Sequence, residues 1–316
     1  MPQPLKPPAL HPGDAIRILS VSSPVEEARV ESGCEELTRL GYKPNFDRSS
    51  VLARDGFFAG LAADRLAALK QALSDAAVHG VCFTRGGYGA NYLLEDLSVA
   101  LAKPKILLGY SDLTSLQIFL WQKFRWVAFY GPMVASGFDK GAGALQGYDR
   151  DSLTRALTET KQEWSIDLRG ETLASGRKQG ILLGGCLTLV ETTLGTPWEL
   201  DTSGAILVLE DRGMKPWQVD RALMHLRQSG KLRGLAGIVL GDFPDCEGPA
   251  SSETVKDVAR RILAPLEIPI VWGAPIGHTQ RPILTLPLGI RAELLATGEG
   301  SGSAARLNIL EPACVA

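Results

Sequence analysis

The chain has no surplus of basic residues: 33 Lys and Arg stand against 35 Asp and Glu, for a net charge of -2. A protein that grips nucleic acid through its phosphates needs a cationic excess to displace counterions, so that class is disfavoured. No polybasic run is present to dock on anionic lipid. Cysteine is scarce. Cys34, Cys82, Cys186, Cys246 and Cys314 are odd in number, lie far apart and form no CxxC pair. That argues against a disulfide framework or a zinc ribbon and for reduced thiols in a cytosolic protein. No stretch reaches the roughly 20 apolar residues needed to span a bilayer. The opening MPQPLKPPALHPGD has one Lys, five prolines and no apolar core, unlike a secretory signal. The expectation is a cytoplasmic protein with no membrane or nucleic-acid partner.

What is present is the composition of a globular protein, 45% hydrophobic and 22% charged over 316 residues. At roughly 100–200 residues per domain, two domains are expected. In the first half, short apolar runs alternate with helical patterns. AIRILSVSS, GVCFTRGG, KILLGY and VAFYGP read as strands. Between them run a helix from Pro24 to Leu40, one from Ala62 to Leu73, a short one after the double glycine, and DLTSLQIFLWQKF. The second half resumes with ILLGGC, AILVLED, GIVLGDF and PIVWGAPIGH as strands, helices around Val219 to Leu226 and from Ser252 to Leu266, and an antiparallel-looking tail. Alternation of this kind predicts an α/β fold with a parallel sheet covered on both faces. The polar stretch between reads as a connection, giving domains 1–160 and 179–316 joined by 161–178.

In such sheets ligands bind beyond the carboxyl ends of strands, and four polar motifs fall there. GYSD places Ser111 on a strand-turn-helix junction, where a hydroxyl is presented at the sheet edge with amides behind it. TRGGYG offers a glycine turn able to aim amides into a site. LEDRG ends an apolar strand with Glu210 and Asp211. PIGH puts His278, one of four histidines, in a glycine loop after a strand. Singly, each has a plainer reading: a helix cap, a tight turn, a solvated strand end, a surface histidine. Together, a hydroxyl, an imidazole and a carboxylate are the parts of a nucleophilic triad, with Ser111 attacking, His278 moving the proton and Glu210 orienting the imidazole. No second His or Cys lies at metal-ligand spacing to His278.

TRGGYG, LLGYSD, the GPM at Gly131 to Met133, LEDRGMKPWQVDRAL, APIGH and LTLPLG, in this order and spacing, resemble the LD-carboxypeptidase family of serine peptidases. That family includes muramoyltetrapeptide carboxypeptidases and relatives conferring self-immunity to microcin C-type antibiotics. The resemblance runs from about Ala15 to Leu295. It implies a Rossmann-like N-terminal domain, a smaller β-rich α/β C-terminal domain, a homodimer and no metal or cofactor. It implies catalytic Ser111, Glu210 and His278, with an oxyanion hole from the backbone amides of Gly87 and Asp112 and with Gly86 beside them. The implied reaction removes the terminal D-alanine from a murein tetrapeptide, in recycling of cell-wall peptides. Beyond His278 the sequence departs from the family pattern, reading Thr279-Gln280-Arg281-Pro282, a loop expected to face substrate.

A substrate with a free carboxylate calls for a cationic or amide clamp. Arg85, Arg212 and Arg281 each adjoin a site element, and Arg85 or Arg212 is the expected clamp. Gly86, Tyr110 and Trp198 are further substrate-facing candidates; Trp198 and Trp217 are candidates for the pocket wall, against the commoner fate of exposed or core packing for such rings. Three readings compete with murein tetrapeptide cleavage. A peptidase or amidase acting on a peptide-nucleotide would share the triad. A non-catalytic two-lobe binding protein would need the glycine turns but not the triad. A dinucleotide-dependent oxidoreductase would need GxGxxG where the chain has SSPV.

Overall fold

The computed structural model describes residues 3–97, 103–249, 253–298 and 304–316. Its strands are β1 Ala15–Leu19, β2 Lys43–Asn45, β3 Gly80–Phe83, β4 Ile106–Gly109, β5 Ala128–Tyr130, β6 Trp164–Asp167 and β7 Glu171–Ala174. They continue as β8 Gly176–Cys186, β9 Ala205–Glu210, β10 Gly237–Gly241, β11 Ile270–Ala274, β12 Leu286–Leu288, β13 Arg291–Thr297 and β14 Ala304–Ile309. The helices are α1 Glu27–Arg39, α2 Arg48–Val51, α3 Ala62–Ser74, α4 Asn91–Leu94, α5 Leu113–Phe124, α6 Arg150–Thr158, α7 Leu187–Thr192, α8 Pro216–Gln228 and α9 Val255–Leu263. The start of the helix expected from Ser252 lies outside the described residues.

Two sheets form. The first has the order β12-β5-β4-β3-β1-β2 and is parallel except for β12. The second has the order β6-β14-β13-β8-β9-β10-β11-β7, with a parallel centre β8-β9-β10-β11 and antiparallel flanks. Every residue of β3, β4, β9 and β10 is buried, which is why these segments read as continuous apolar runs rather than alternating ones. Helices cover the sheets, α8 and α9 each with one apolar stripe. In α9 the stripe is Val255, Val258, Ala259, Ile262 and Leu263, and Thr254 caps the first turn by accepting from the Asp257 amide. In α8, Pro216 opens the helix and Val219, Ala222, Leu223 and Leu226 face inward. One hydrophobic core runs from the first sheet onto one face of the second, and another lies around β9, β10, α8 and α9.

The stretch 161–178, expected as a bare connection, carries β6, β7 and the start of β8, and β6 and β7 form the two edges of the second sheet. Its alternating burial at β6, Trp164 and Ile166 in, Ser165 and Asp167 out, is the pattern of an edge strand whose polar face made it look like linker. Likewise β12, from the C-terminal part of the chain, closes an edge of the first sheet against β5. The lobes are thus stitched by chain as well as by packing. In the first sheet β1 lies between β2 and β3, so the connections diverge there and open a crevice at the carboxyl ends.

Candidate active site

Four strand ends point at that crevice. β3 runs into Arg85-Gly86-Gly87, β4 into Tyr110-Ser111-Asp112, β9 ends at Glu210, and β11 leads to His278. A cavity of about 370 Å³ lies between them, and its lining includes Arg85, Gly86, Gly87, Tyr110, Ser111, Arg212 and His278.

Ser111 is held in the left-handed region, with φ 64°. A serine there costs of order 1–3 kcal/mol and persists only when its surroundings over-determine it. Here α5 begins two residues later, its first turns wholly buried from Leu113 to Trp121, so the helix cannot slide to relieve the turn. The turn therefore stands its hydroxyl up at the helix N-terminus, where following amides and the helix dipole favour negative charge. Gly86 comes close enough that a Cβ on it would lie 2.6 Å from Ser111 Cβ and 2.7 Å from Oγ. Gly87 next to it has φ 114°, a conformation only glycine takes freely. The amides of Gly87 and Asp112 donate no hydrogen bond among the described residues. The buried Asp112 carboxylate accepts from the Ala90 amide at 2.8 Å, which fastens the glycine loop to the serine turn.

Glu210 is fully buried. Its Oε2 lies 2.9 Å from His278 Nδ1 and accepts the His278 amide at 2.9 Å. Its Oε1 accepts the Tyr130 hydroxyl at 2.5 Å. Burial pushes the Glu210 pKa up, but the imidazole charge and these hydrogen bonds outweigh it and hold the group below its ordinary value. For His278, burial works against the charged form, yet the Glu210 carboxylate outweighs it and lifts the pKa above 6.5. With Nδ1 committed to Glu210, Nε2 is the nitrogen left to exchange a proton in the cavity. No hydrogen bond joins Ser111 to His278 among the described residues; the two line one cavity. The Tyr110 ring meets the His278 ring edge-on at 5.2 Å, and its hydroxyl pairs with Ser136 at 2.6 Å.

The arginines separate clearly. Arg212 pairs with Asp245 at 2.8 Å. Arg281 does not line the cavity; its guanidinium forks onto Asp242 and donates to the carbonyls of Gly273 and Arg169, so it staples the loop after His278. Arg85 lines the cavity and forms no ion pair among the described residues. Neither tryptophan candidate lines the cavity. Trp198 is outside the cavity, half-buried with its ring edge-on to Phe119 at 5.6 Å. Trp217 is exposed and lies under Arg221. Trp198 sits in a turn where packing on Phe119, rather than the crevice, sets its place, and Trp217 lies in the first turn of α8 on an exposed face. Sequence reasoning missed Tyr130, Asp139, Arg29 and Lys140, of which the last three line the cavity as one charged group, Asp139 lying 2.8 Å from Arg29 and 3.8 Å from Lys140. A hydroxyl at the carboxyl end of β5, next to the strand that presents Ser111, was the available signal for Tyr130. Among the described residues no group of three or more His, Cys, Asp or Glu side chains could hold a metal ion, and no helix is long and apolar enough to cross a membrane.

A two-sheet α/β protein with a strained serine and a carboxylate-imidazole pair in one interlobe cavity has the architecture of a serine-type hydrolase. Residues 16–131 match the LD-carboxypeptidase N-terminal domain and residues 179–294 match the LD-carboxypeptidase C-terminal domain. The chain belongs to the LD-carboxypeptidase family of serine peptidases. It is 32% identical over 295 residues to a probable murein peptide carboxypeptidase of Bacillus subtilis, covering 92% of this chain and 91% of that protein. A muramoyltetrapeptide carboxypeptidase from Oxalobacter formigenes superposes with TM-score 0.80 at 28% identity, over 94% of this chain and 99% of that one. The microcin C7 self-immunity protein MccF of Escherichia coli is 27% identical over 314 residues, 88% of this chain and 90% of its own. A ligand-free MccF structure superposes with TM-score 0.89, over 98% of this chain and 100% of that one, and at 24% identity that likeness shows the fold alone.

Proposed function

We propose that this enzyme removes the terminal D-alanine from a murein tetrapeptide through an acyl-enzyme formed on Ser111, in recycling of cell-wall peptides. The observation that carries the reading is the buried Glu210–His278 pair sharing one cavity with a serine held at positive φ. The Ser111 hydroxyl attacks the carbonyl carbon of the L,D bond while His278 Nε2 takes its proton. The oxyanion so formed lies against the amides of Gly87 and Asp112. His278 returns the proton to the leaving amine, the C–N bond breaks and D-alanine departs. Water, deprotonated by the same imidazole, then cleaves the ester and restores Ser111. Glu210 stays ionised throughout, fixing the tautomer and stabilising the imidazolium. Arg85, a cavity cation with no ion pair among the described residues, takes the substrate's terminal carboxylate.

The test is Ser111→Ala, assayed by mass spectrometry for D-alanine release from tetrapeptide, with the D,D-pentapeptide as comparison. Loss of one triad member removes several orders of magnitude in rate. Full release by a folded Ser111→Ala protein would refute the reading. The likeness to MccF favours a second reading, cleavage of a peptide-nucleotide by the same three side chains. It predicts higher kcat/KM on such a conjugate than on tetrapeptide.

A further inference from the structure

The Glu210 carboxylate has two oxygens, and the proposed proton relay uses one. Oε2 serves His278. Oε1 accepts from Tyr130, whose hydroxyl oxygen also accepts the Ser111 amide N–H at 3.4 Å. Tyr130 ends β5 in the sheet that presents Ser111, while Glu210 ends β9 in the other sheet. The parallel register of β4 with β5 sets Tyr130 directly beside Gly109, two residues before the serine. The tyrosine is fully buried, and its place is fixed on both sides by sheet pairing.

We infer that Tyr130 is a positioning residue, whose hydroxyl ties the Ser111 turn of one lobe to the Glu210 carboxylate of the other and sets the basicity of the Glu210–His278 pair. The inference rests on the reading of Ser111, His278 and Glu210 given above. Its physical basis is the two-sided use of one phenol oxygen. Donation to a buried carboxylate is a charge-assisted hydrogen bond, and accepting from an amide at the same oxygen reinforces it. Burial, and then the Glu210 charge, push the phenol's own pKa well above 10, so it donates throughout the neutral range. Because the acid and the nucleophile come from different sheets, side-chain bonds between those sheets help hold them in register, and Tyr130 touches both elements at once.

Other groups also act on the pair. His278 feels Asp211 and Arg212 besides Glu210, and packs on Tyr110. Tyr130 feels Cys186 and Thr114 besides Glu210. Tyr110 feels Asp139 and Arg212. Tyr130→Phe changes none of these charges and keeps the ring. Removing the donor leaves the carboxylate more basic, so the pair as a unit holds its proton to higher pH.

The experiment measures kcat and KM of Tyr130→Phe on tetrapeptide across the acidic and neutral range, beside Ser111→Ala. The expected result is an acidic limb of kcat/KM displaced upward by about one pH unit, as follows from loss of one charge-assisted hydrogen bond. At the plateau kcat falls roughly tenfold with KM changed little, since the lost bond touches no substrate. An unmoved limb with kcat within twofold of the parent overturns the inference. Should Tyr130→Phe fail to fold, 3-fluorotyrosine at position 130 retains the hydroxyl and makes it a stronger donor, and the limb must then move to lower pH; a fixed limb overturns the inference equally. An active Ser111→Ala protein would instead sink the serine reading, whereas an inactive Ser111→Ala with an unaffected Tyr130→Phe sinks only the role of Tyr130.

Discussion

Gly86→Ala is the sharpest probe of how the glycine loop serves the serine turn. Gly86 does not need positive φ, so alanine is acceptable to the backbone. What it is not acceptable to is Ser111: the added methyl would sit 2.6 Å from Ser111 Cβ, 2.7 Å from Oγ and 3.2 Å from the Asp112 nitrogen. The hydroxyl can rotate away, but the Cβ cannot. Ordinary carbon–carbon contact is about 3.5–4.0 Å, so loop and turn must part by about 1 Å. A misplacement of that size at a reacting centre costs about 10²-fold in rate, and the Gly87 and Asp112 amides are separated by the same movement. The expected outcome is kcat lowered about 10²-fold with KM within a few-fold, because the remaining cavity wall is untouched. Steady-state kinetics with tetrapeptide measures it, and a thermal melt close to the parent's shows that the fold is kept. A Gly86→Ala protein with kcat within threefold of the parent would refute the argument that this loop abuts the nucleophile.

Two further perturbations follow from the electrostatics. The His278 pKa is raised above 6.5 by Glu210 despite burial, so the folded state binds that proton more tightly than the unfolded chain. Its stabilising contribution is present below pH 6.5 and is lost as pH rises through the folded-state pKa. The proposed base must be neutral, so kcat/KM rises through the same window; melts and rates on one pH series should run in opposite directions, and parallel trends would contradict the pairing. For the arginines, Arg85→Ala should raise KM for tetrapeptide about tenfold, since a charge-assisted bond is lost. Arg212→Ala should change it much less, because its guanidinium is already engaged by Asp245; a larger effect at Arg212 would reverse the assignment.

Much of the fold was legible because parallel buried strands carry their signature locally. Val81, Cys82 and Phe83 in β3 and Ala205 to Leu209 in β9 are apolar without alternation, as a strand covered on both faces requires. β6 and β7 were illegible for the opposite reason. As sheet edges they are only partly covered, with Ser165 and Asp167 of β6 exposed and three of the four residues of β7 half-buried, and nothing within 161–178 announces the partners that complete them. Of the site, Ser111, Glu210 and His278 stood out because each is a reactive group where a strand gives way to a loop. Trp198 misled because an aromatic in a proline turn looks the same in sequence whether it lines a pocket or packs on Phe119.

The sequence by itself determined the alternation of strands and helices, the strand ends on which reactive groups fall, and the family to which the chain belongs. The first two are properties of neighbours along the chain, governed by side-chain period and by turns; the family was carried by the resemblance of its ordered motifs. Only the tertiary structure decided that Glu210 would spend its second oxygen on Tyr130, that Arg212 would be spoken for by Asp245, and that Gly86 would press on Ser111. Each depends on residues from separate strands or lobes meeting across a few ångströms, and hydrogen bonds and steric contact act only at that range.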